Sequence, residues 1–130
     1  MSKVNRQGDC SSCWAVAAVA VVERLNAIRR GTEPVDHSLQ ELVDCCNTSN
    51  GCRSGMVIKA FDDIFDYDVL ACADTYAYTA TQGTCKAADI PPAFNDAIDG
   101  YERVPSFDIR QLMLAVNSHP VVVTIDTVGN

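Results

Sequence analysis

The chain has 130 residues, the length of one compact domain, and its 48% apolar and 21% charged residues are ordinary globular values that argue against long disorder. Ten Lys and Arg against seventeen Asp and Glu leave a formal charge of −7, with Arg29-Arg30 the one adjacent basic pair, which disfavours nucleic acid and anionic membrane as partners. The longest apolar stretch, 15–22, is far short of the ~20 residues a membrane helix needs, and the absence of G-x-G-x-x-G and G-K-[ST] sets aside dinucleotide and P-loop chemistry.

Four helices and one strand are legible in chain order. Over 12–30, Trp14, Ala17, Val21, Leu25 and Ile28 recur at helical spacing, and Gly31 stands where a C-terminal cap belongs. Ala15, Val16, Val19 and Val22 widen that face, so this helix is expected at the centre of the fold. A short helix over 38–45 opens with Ser38-Leu39-Gln40-Glu41, a capping box in which Ser38 and Glu41 satisfy each other's backbone donors. The third helix, 54–67, puts Val57, Ala60, Phe61, Ile64 and Phe65 inward and Lys59, Asp62, Asp63 and Asp66 outward. The run of Asp62, Asp63, Asp66 and Asp68 therefore reads as a solvated face and not as a metal site. Residues 68–107, with Pro91, Pro92, Gly100 and Pro105, read as extended loop with short strands. A fourth helix over 108–117 carries Ile109, Leu112, Met113 and Val116 inward, and Pro120 stops it. The β-branched run 120–126 is expected as a strand.

Seven cysteines are the unusual count: Cys10, Cys13, Cys45, Cys46, Cys52, Cys72 and Cys85. An odd number leaves at least one thiol unpaired within the chain. That fits a secreted or vacuolar enzyme with a nucleophilic sulfur, against the alternative of a cytosolic protein with buried thiols. No basic and apolar leader opens the 130 residues, which pulls the other way. Cys13 falls at the first turn of the long helix, where free N–H groups and the positive end of the macrodipole favour a negatively charged sulfur. Gln7, six residues upstream, offers an amide donor. A thiol beside two N–H donors supplies two parts of an acyl-transfer site, a nucleophile and an oxyanion hole. A dithiol redox pair at Cys10 and Cys13 lacks the preceding strand and Trp. A zinc site from Cys10, Cys13, Cys45 and Cys46 lacks the second C-x₂-C.

The segment Gln7-Gly8-Asp9-Cys10-Ser11-Ser12-Cys13-Trp14 resembles the nucleophile signature of the papain-like cysteine peptidases, with Ser11 in place of Gly. Ser38-Leu39-Gln40-Glu41-Leu42-Val43-Asp44-Cys45 resembles that family's second helix. Gly51-Cys52-Arg53-Ser54-Gly55 resembles its G-C-N-G-G turn, Tyr76-Ala77-Tyr78 its Y-P-Y, and Pro120-Val121-Val122-Val123 the strand opening its second lobe. The resemblance implies an α+β papain-like fold, with a helical left lobe over 1–105 and the helix and first strand of a β-rich right lobe over 106–130. It implies Cys13 as nucleophile and Gln7 with the Cys13 N–H as oxyanion hole. It pairs Cys10 with Cys52 and Cys45 with Cys85, leaving Cys46 and Cys72 as a third bridge or as thiols. Ser54 and Gly55 would bond an extended peptide, the Cβ of Ser54 narrowing that edge, and Met56, Val57 and Thr124 would line an apolar specificity pocket.

The family's catalytic His and Asn have no counterpart at matching positions. His37 reads as a solvated residue before the second helix, and His119 precedes Pro120. The expectation is therefore a cysteine endopeptidase present as a truncated nucleophile half, with little activity alone, or else an inactive homologue that binds peptides. No metal or cofactor is implied. A peptide or protein substrate, a cystatin-like inhibitor, a complementary right lobe or self-association are the implied partners, in a lysosome, a vacuole or outside the cell.

Overall fold

The computed structural model describes residues 4–67, 70–91 and 98–125. Among them run four α-helices: α1 (Cys13–Arg30), α2 (Leu39–Cys45), α3 (Val57–Tyr67) and α4 (Ile109–Ser118), with one 3₁₀ turn at Ala87–Asp89. None of these helices is long and apolar enough to cross a membrane.

The central element is α1, which packs on both α2 and α3. Its buried stripe is Ala15, Ala18, Val19, Val22 and Asn26, joined in the core by Leu42, Val43, Ala60, Ile64 and Leu70. Of the expected face, Trp14, Ala15, Val19 and Val22 are buried, while Val16, Ala17, Val21 and Leu25 are half-buried and Ile28 is 62% exposed. Ala15 and Ala18 of α1 share the core with Ala60 of α3, small side chains where the two helices pack. Each buried Val, Leu or Ile contributes roughly 1.5–3 kcal/mol. Gly31 ends α1 at φ +64°, its N–H reaching the Ala27 and Ile28 carbonyls, as the sequence predicts.

The start of α2 departs from the expected reciprocal box. Ser38 Oγ accepts the Glu41 N–H at 3.0 Å. The Glu41 carboxylate, however, accepts the Ala71 N–H at 2.7 Å, and the Ser38 N–H donates to the Ala71 carbonyl at 2.9 Å. A loop with no ladder of its own has taken the cap's second half, since its buried backbone groups need partners.

His37 is not solvated. It is 3% exposed, forms an isolated bridge with Cys72, and donates its N–H to Glu23 Oε1 at 2.7 Å, with Nδ1 3.9 Å from the same oxygen. The burial of Ser38 carries its neighbour inward. Burial pushes the Glu23 carboxyl up to about 7, the His37 N–H opposing and the Asp36 charge adding to the rise. Burial raises Glu41 in the same sense. An acid whose pKa is raised on folding stabilises the fold in its protonated form. Its contribution is complete below the ordinary value of 4.5 and is lost as pH climbs through about 7. With His37 and Asp36 facing it, Glu23 should cost the protein on the order of 1–2 kcal/mol between pH 4.5 and 7.5, below the full linkage value because solvent still screens it. Thermal melts should show Tm falling by several degrees over that range. Glu23→Gln should flatten the profile, and a wild-type Tm that rises with pH would refute this reading.

The third helix starts at Val57 and not at 54, because 50–54 close a turn through Asn50 N–H to Ser54 O and Arg53 N–H to Asn50 O. Ala60 and Ile64 are buried, but Phe65 is 51% exposed. Phe61 stacks on Tyr101 with ring centroids 5.6 Å apart, while the Tyr101 hydroxyl bonds Asp62, which also pairs with Lys59 at 3.5 Å. Asp63 departs from the solvated face and turns toward the Cys46 thiol. Asp68 lies outside the described residues.

Two further expectations are corrected. The fourth helix is capped by Asp108, whose Oδ1 accepts the Gln111 N–H at 3.0 Å, but its apolar face is not inward. Ile109, Met113 and Val116 are 73%, 67% and 61% exposed, and only Leu112 is half-buried. Among the described residues there is no strand, neither in 120–125 nor in 70–91 and 98–107. β-branched residues make a strand only where a neighbouring chain completes the ladder, and none of the described segments does so. Pro92 and residue 126 lie outside the described residues.

Candidate active site

The approach to α1 is fixed from three sides. A disulfide joins Cys10 to Cys52 (S–S 2.04 Å), and the Ser11 N–H donates to the Cys52 carbonyl at 2.9 Å. Ser12, fully buried, is the N-cap, yet its hydroxyl does not cap the helix. Instead Ser12 Oγ lies 2.6 Å from the Tyr78 hydroxyl, which is itself 2.7 Å from the Gln7 carbonyl. Each hydroxyl has one proton and a carbonyl within reach, Gln7 for Tyr78 and Cys10 for Ser12 at 3.4 Å, so either can donate in the short bond between them. The first-turn amides of α1 are thus left without a side-chain cap beside Cys13, whose thiol is exposed. Gln7 is also exposed, and its backbone is tied to the helix entry by the Tyr78 bridge.

The other wall is the 50–55 turn. Trp14 Nε1 donates to the Gly51 carbonyl at 3.3 Å, laying the indole along the turn. At Gly55 a Cβ would fall inside the indole of Trp14, so only glycine fits there. At Ser54 there is room: the residue is exposed, and its hydroxyl accepts Asn50 Nδ2 at 3.3 Å. Met56 is 58% exposed, Val57 packs half-buried on the core, and Thr124 is exposed in the segment after α4.

The two other free thiols sit in different surroundings. Cys46 is 5% exposed, and burial, with Asp63 beside it, pushes its thiol up, which keeps it protonated and inert. Cys72 is half-buried. Cys10 and Cys45 are each in a disulfide, Cys45 with Cys85 (S–S 2.11 Å), which removes both from any zinc set. His37 meets Glu23, ten residues along α1 from Cys13, or about 15 Å at 1.5 Å per residue, so its imidazole is not beside the thiol. His119 is exposed at the C-terminal end of α4.

A model of the papain family of cysteine proteases matches residues 1–130. The chain belongs to that family. Zingipain-1 of Zingiber officinale is 40% identical over 126 residues, covering 97% of this chain and 56% of its own length. Macrodontain-1 of Ananas macrodontes is 40% identical over 131 residues, all of this chain and 59% of its own. The chain therefore spans little more than half the length of these papain-family relatives. Among solved structures, a Carica candamarcensis cysteine protease in complex with E-64 superposes with a TM-score of 0.84 at 31% identity, covering 92% of this chain and 55% of that one. The bromelain protease of Ananas comosus, also in complex with E-64, gives 0.80 at 34%, covering 91% and 53%. The fold is that of the papain-like proteases, and a helical structure with no strand among the described residues is consistent with its left lobe.

Two residues of this site escape sequence reasoning. Tyr78 is visible only as part of a resemblance, because nothing in a linear spacing of 66 and 71 residues announces its bonds to Ser12 and Gln7. Gly55, rather than position 54, is where glycine is required. A cavity of about 450 Å³ lies elsewhere, lined by Gln40, Asp44, Tyr76, Thr79 and Lys86 among others.

Proposed function

We propose that Cys13 is the nucleophile of a thiol-dependent endopeptidase that cleaves peptide bonds through an acyl-enzyme thioester. The observation that carries this reading is the exposed thiol on the first residue of a helix whose N-cap side chain is turned away to Tyr78. In this reading the Cys13 N–H and the Gln7 side-chain amide hold the oxyanion as the carbonyl carbon becomes tetrahedral. The edge at Ser54 and Gly55 receives the extended substrate backbone, and Met56, Val57 and Thr124 receive an apolar side chain. Residues 1–105 act as the left lobe and 106–130 as the opening of the right lobe, with the outward apolar face of α4 supporting the division. The imidazole that takes and returns the proton comes from outside residues 1–130, since His37 is held at Glu23. The two disulfides favour a lysosomal, vacuolar or extracellular setting. Peptides and proteins are the proposed substrates, and a cystatin-like inhibitor or a complementary lobe the proposed partners.

A second reading, a peptide-binding homologue without turnover, draws on the same distance between His37 and Cys13. The two are separated by treating the protein with E-64 and with iodoacetamide and mapping the modified residue. Labelling of Cys13 ahead of Cys46 and Cys72, together with Cys13-dependent peptide hydrolysis once the imidazole-bearing lobe is supplied, supports the peptidase. Labelling with no hydrolysis even then supports the binding module, and equal labelling of all three thiols counts against both.

Tyr78 carries a sharper expectation. Tyr78→Phe removes the hydroxyl that holds the Gln7 backbone to the helix entry, two hydrogen bonds worth about 1 kcal/mol each. Peptide hydrolysis should fall roughly tenfold in kcat with KM little changed. Alkylation of Cys13 should keep its rate, since the thiol is untouched. A parallel loss in alkylation and hydrolysis would mean that Tyr78 merely supports the local fold.

A further inference from the structure

We propose that Asn47 is a site of N-linked glycosylation. Of the six asparagines followed by two further residues, only Asn47 heads an Asn-x-Ser/Thr triplet, Asn47-Thr48-Ser49. The triplet sits on the turn that leaves α2, where Cys46 is the C-cap and the Ser49 N–H returns to the Cys46 carbonyl at 3.3 Å. Asn47 and Thr48 are exposed, and no hydrogen bond among the described residues engages the Asn47 amide, so the fold can carry a large hydrophilic group there without loss. The other asparagines with structural duties are placed differently: Asn26 is buried in α1 and Asn50 is bonded to Ser54.

The disulfide pattern supplies the second line. Two bridges place folding in an oxidising compartment, the one in which this modification occurs. Cys45, two residues before Asn47, is locked only when Cys85, 40 residues later, has emerged. At 5–20 residues per second that interval is roughly 2–8 s, during which the triplet stays extended and accessible. In the step itself Asn47 Nδ2 forms a bond to the anomeric carbon of an oligosaccharide carried on a lipid diphosphate. The bond from that carbon to the diphosphate oxygen breaks, the lipid diphosphate leaves with the electron pair, and one amide proton passes to the base of the transferase. Ser49 supplies the hydroxyl by which the triplet is recognised.

The test is cell-free translation behind a cleavable leader in the presence of endoplasmic-reticulum microsomes, which reads the modification without requiring the chain to fold. The protease-protected chain should migrate as a heavier species that collapses on treatment with a peptide N-glycosidase. Performed in heavy-oxygen water, that treatment should leave labelled aspartate at position 47. Asn47→Gln and Ser49→Ala should abolish the shift and Ser49→Thr should keep it. A protected chain in which Asn47 remains an unmodified amide overturns the proposal, as does a shift that survives Asn47→Gln.

Discussion

In the protein supplied with the imidazole from outside residues 1–130, replacing Cys13 by alanine is expected to lower peptide hydrolysis by about six orders of magnitude, the loss typical of removing a covalent nucleophile from an acyl-transfer site. The thiol is exposed and stands at the start of α1, so no cavity opens when the sulfur is removed, and Tm should move by less than a few degrees. The comparison that gives the number meaning is with the other unpaired thiols. Cys46→Ala removes a buried sulfur packed in the core and should lower Tm while leaving hydrolysis per folded molecule intact. Cys72→Ala should alter neither greatly. A fluorogenic peptide with an apolar residue beside the scissile bond, assayed for all three variants, reads the difference. Hydrolysis that survives in the Cys13 variant, or that disappears with Cys72→Ala, would remove Cys13 from the role proposed for it.

Reduction of the two disulfides carries the largest expected effect on stability. The bridges span 42 and 40 residues, and the chain-entropy model assigns about 4 kcal/mol to closing a loop of either size. The loops overlap between Cys45 and Cys52, so the two contributions do not simply add. Even so, their sum is comparable with the 5–15 kcal/mol that holds a typical domain together. Strong reductant should therefore lower Tm by tens of degrees, and the paired variant lacking Cys10 and Cys52 should melt well below the intact protein. The local consequence differs between the bridges. Losing Cys10–Cys52 frees the entry to α1 next to Cys13, whereas losing Cys45–Cys85 frees the loop that follows Tyr76. Melting followed by circular dichroism, with and without reductant, decides the matter: a Tm unchanged by reduction would show that the core alone suffices.

Much of the left lobe was legible because its signals are local. The 3.6-residue period, the cap at Gly31 and the cap at Ser38 each depend on residues within one or two turns of one another. The failures share a different cause. His37 was assigned to solvent from its neighbours in sequence, but a buried carboxylate from α1, fourteen residues away in the chain, receives its backbone N–H. The second half of the α2 cap was lost to Ala71, thirty residues from Glu41. The face of α4 was assigned inward because periodicity gives the direction of an apolar stripe relative to the helix, and says nothing about whether a partner lies opposite it. The strand expected over 120–126 is absent from its described part, 120–125, for the same reason, since half of a strand's definition belongs to its neighbour. At the site, the residue types were readable and their support was not. Cys13 and Gln7 follow from the chain, while the hydroxyl that links their segments comes from Tyr78, far downstream.

The polar side of α2 has a consequence for the loop it holds. Gln40 takes the Thr79 N–H and gives its own amide to the Thr81 carbonyl, Asp44 takes the Gly83 N–H and the Tyr76 hydroxyl, and Glu41 takes the Ala71 N–H. A stretch with no regular secondary structure is thus read backbone atom by backbone atom, by side chains of a seven-residue helix. Its own side chains at 79–84 carry few of these backbone obligations; Ala80 packs on the core and Thr79 Oγ1 bonds Thr81. The same engagement keeps the Ala71, Thr79 and Gly83 amides on α2, so the path of the loop is set by the helix and not by a ladder of its own.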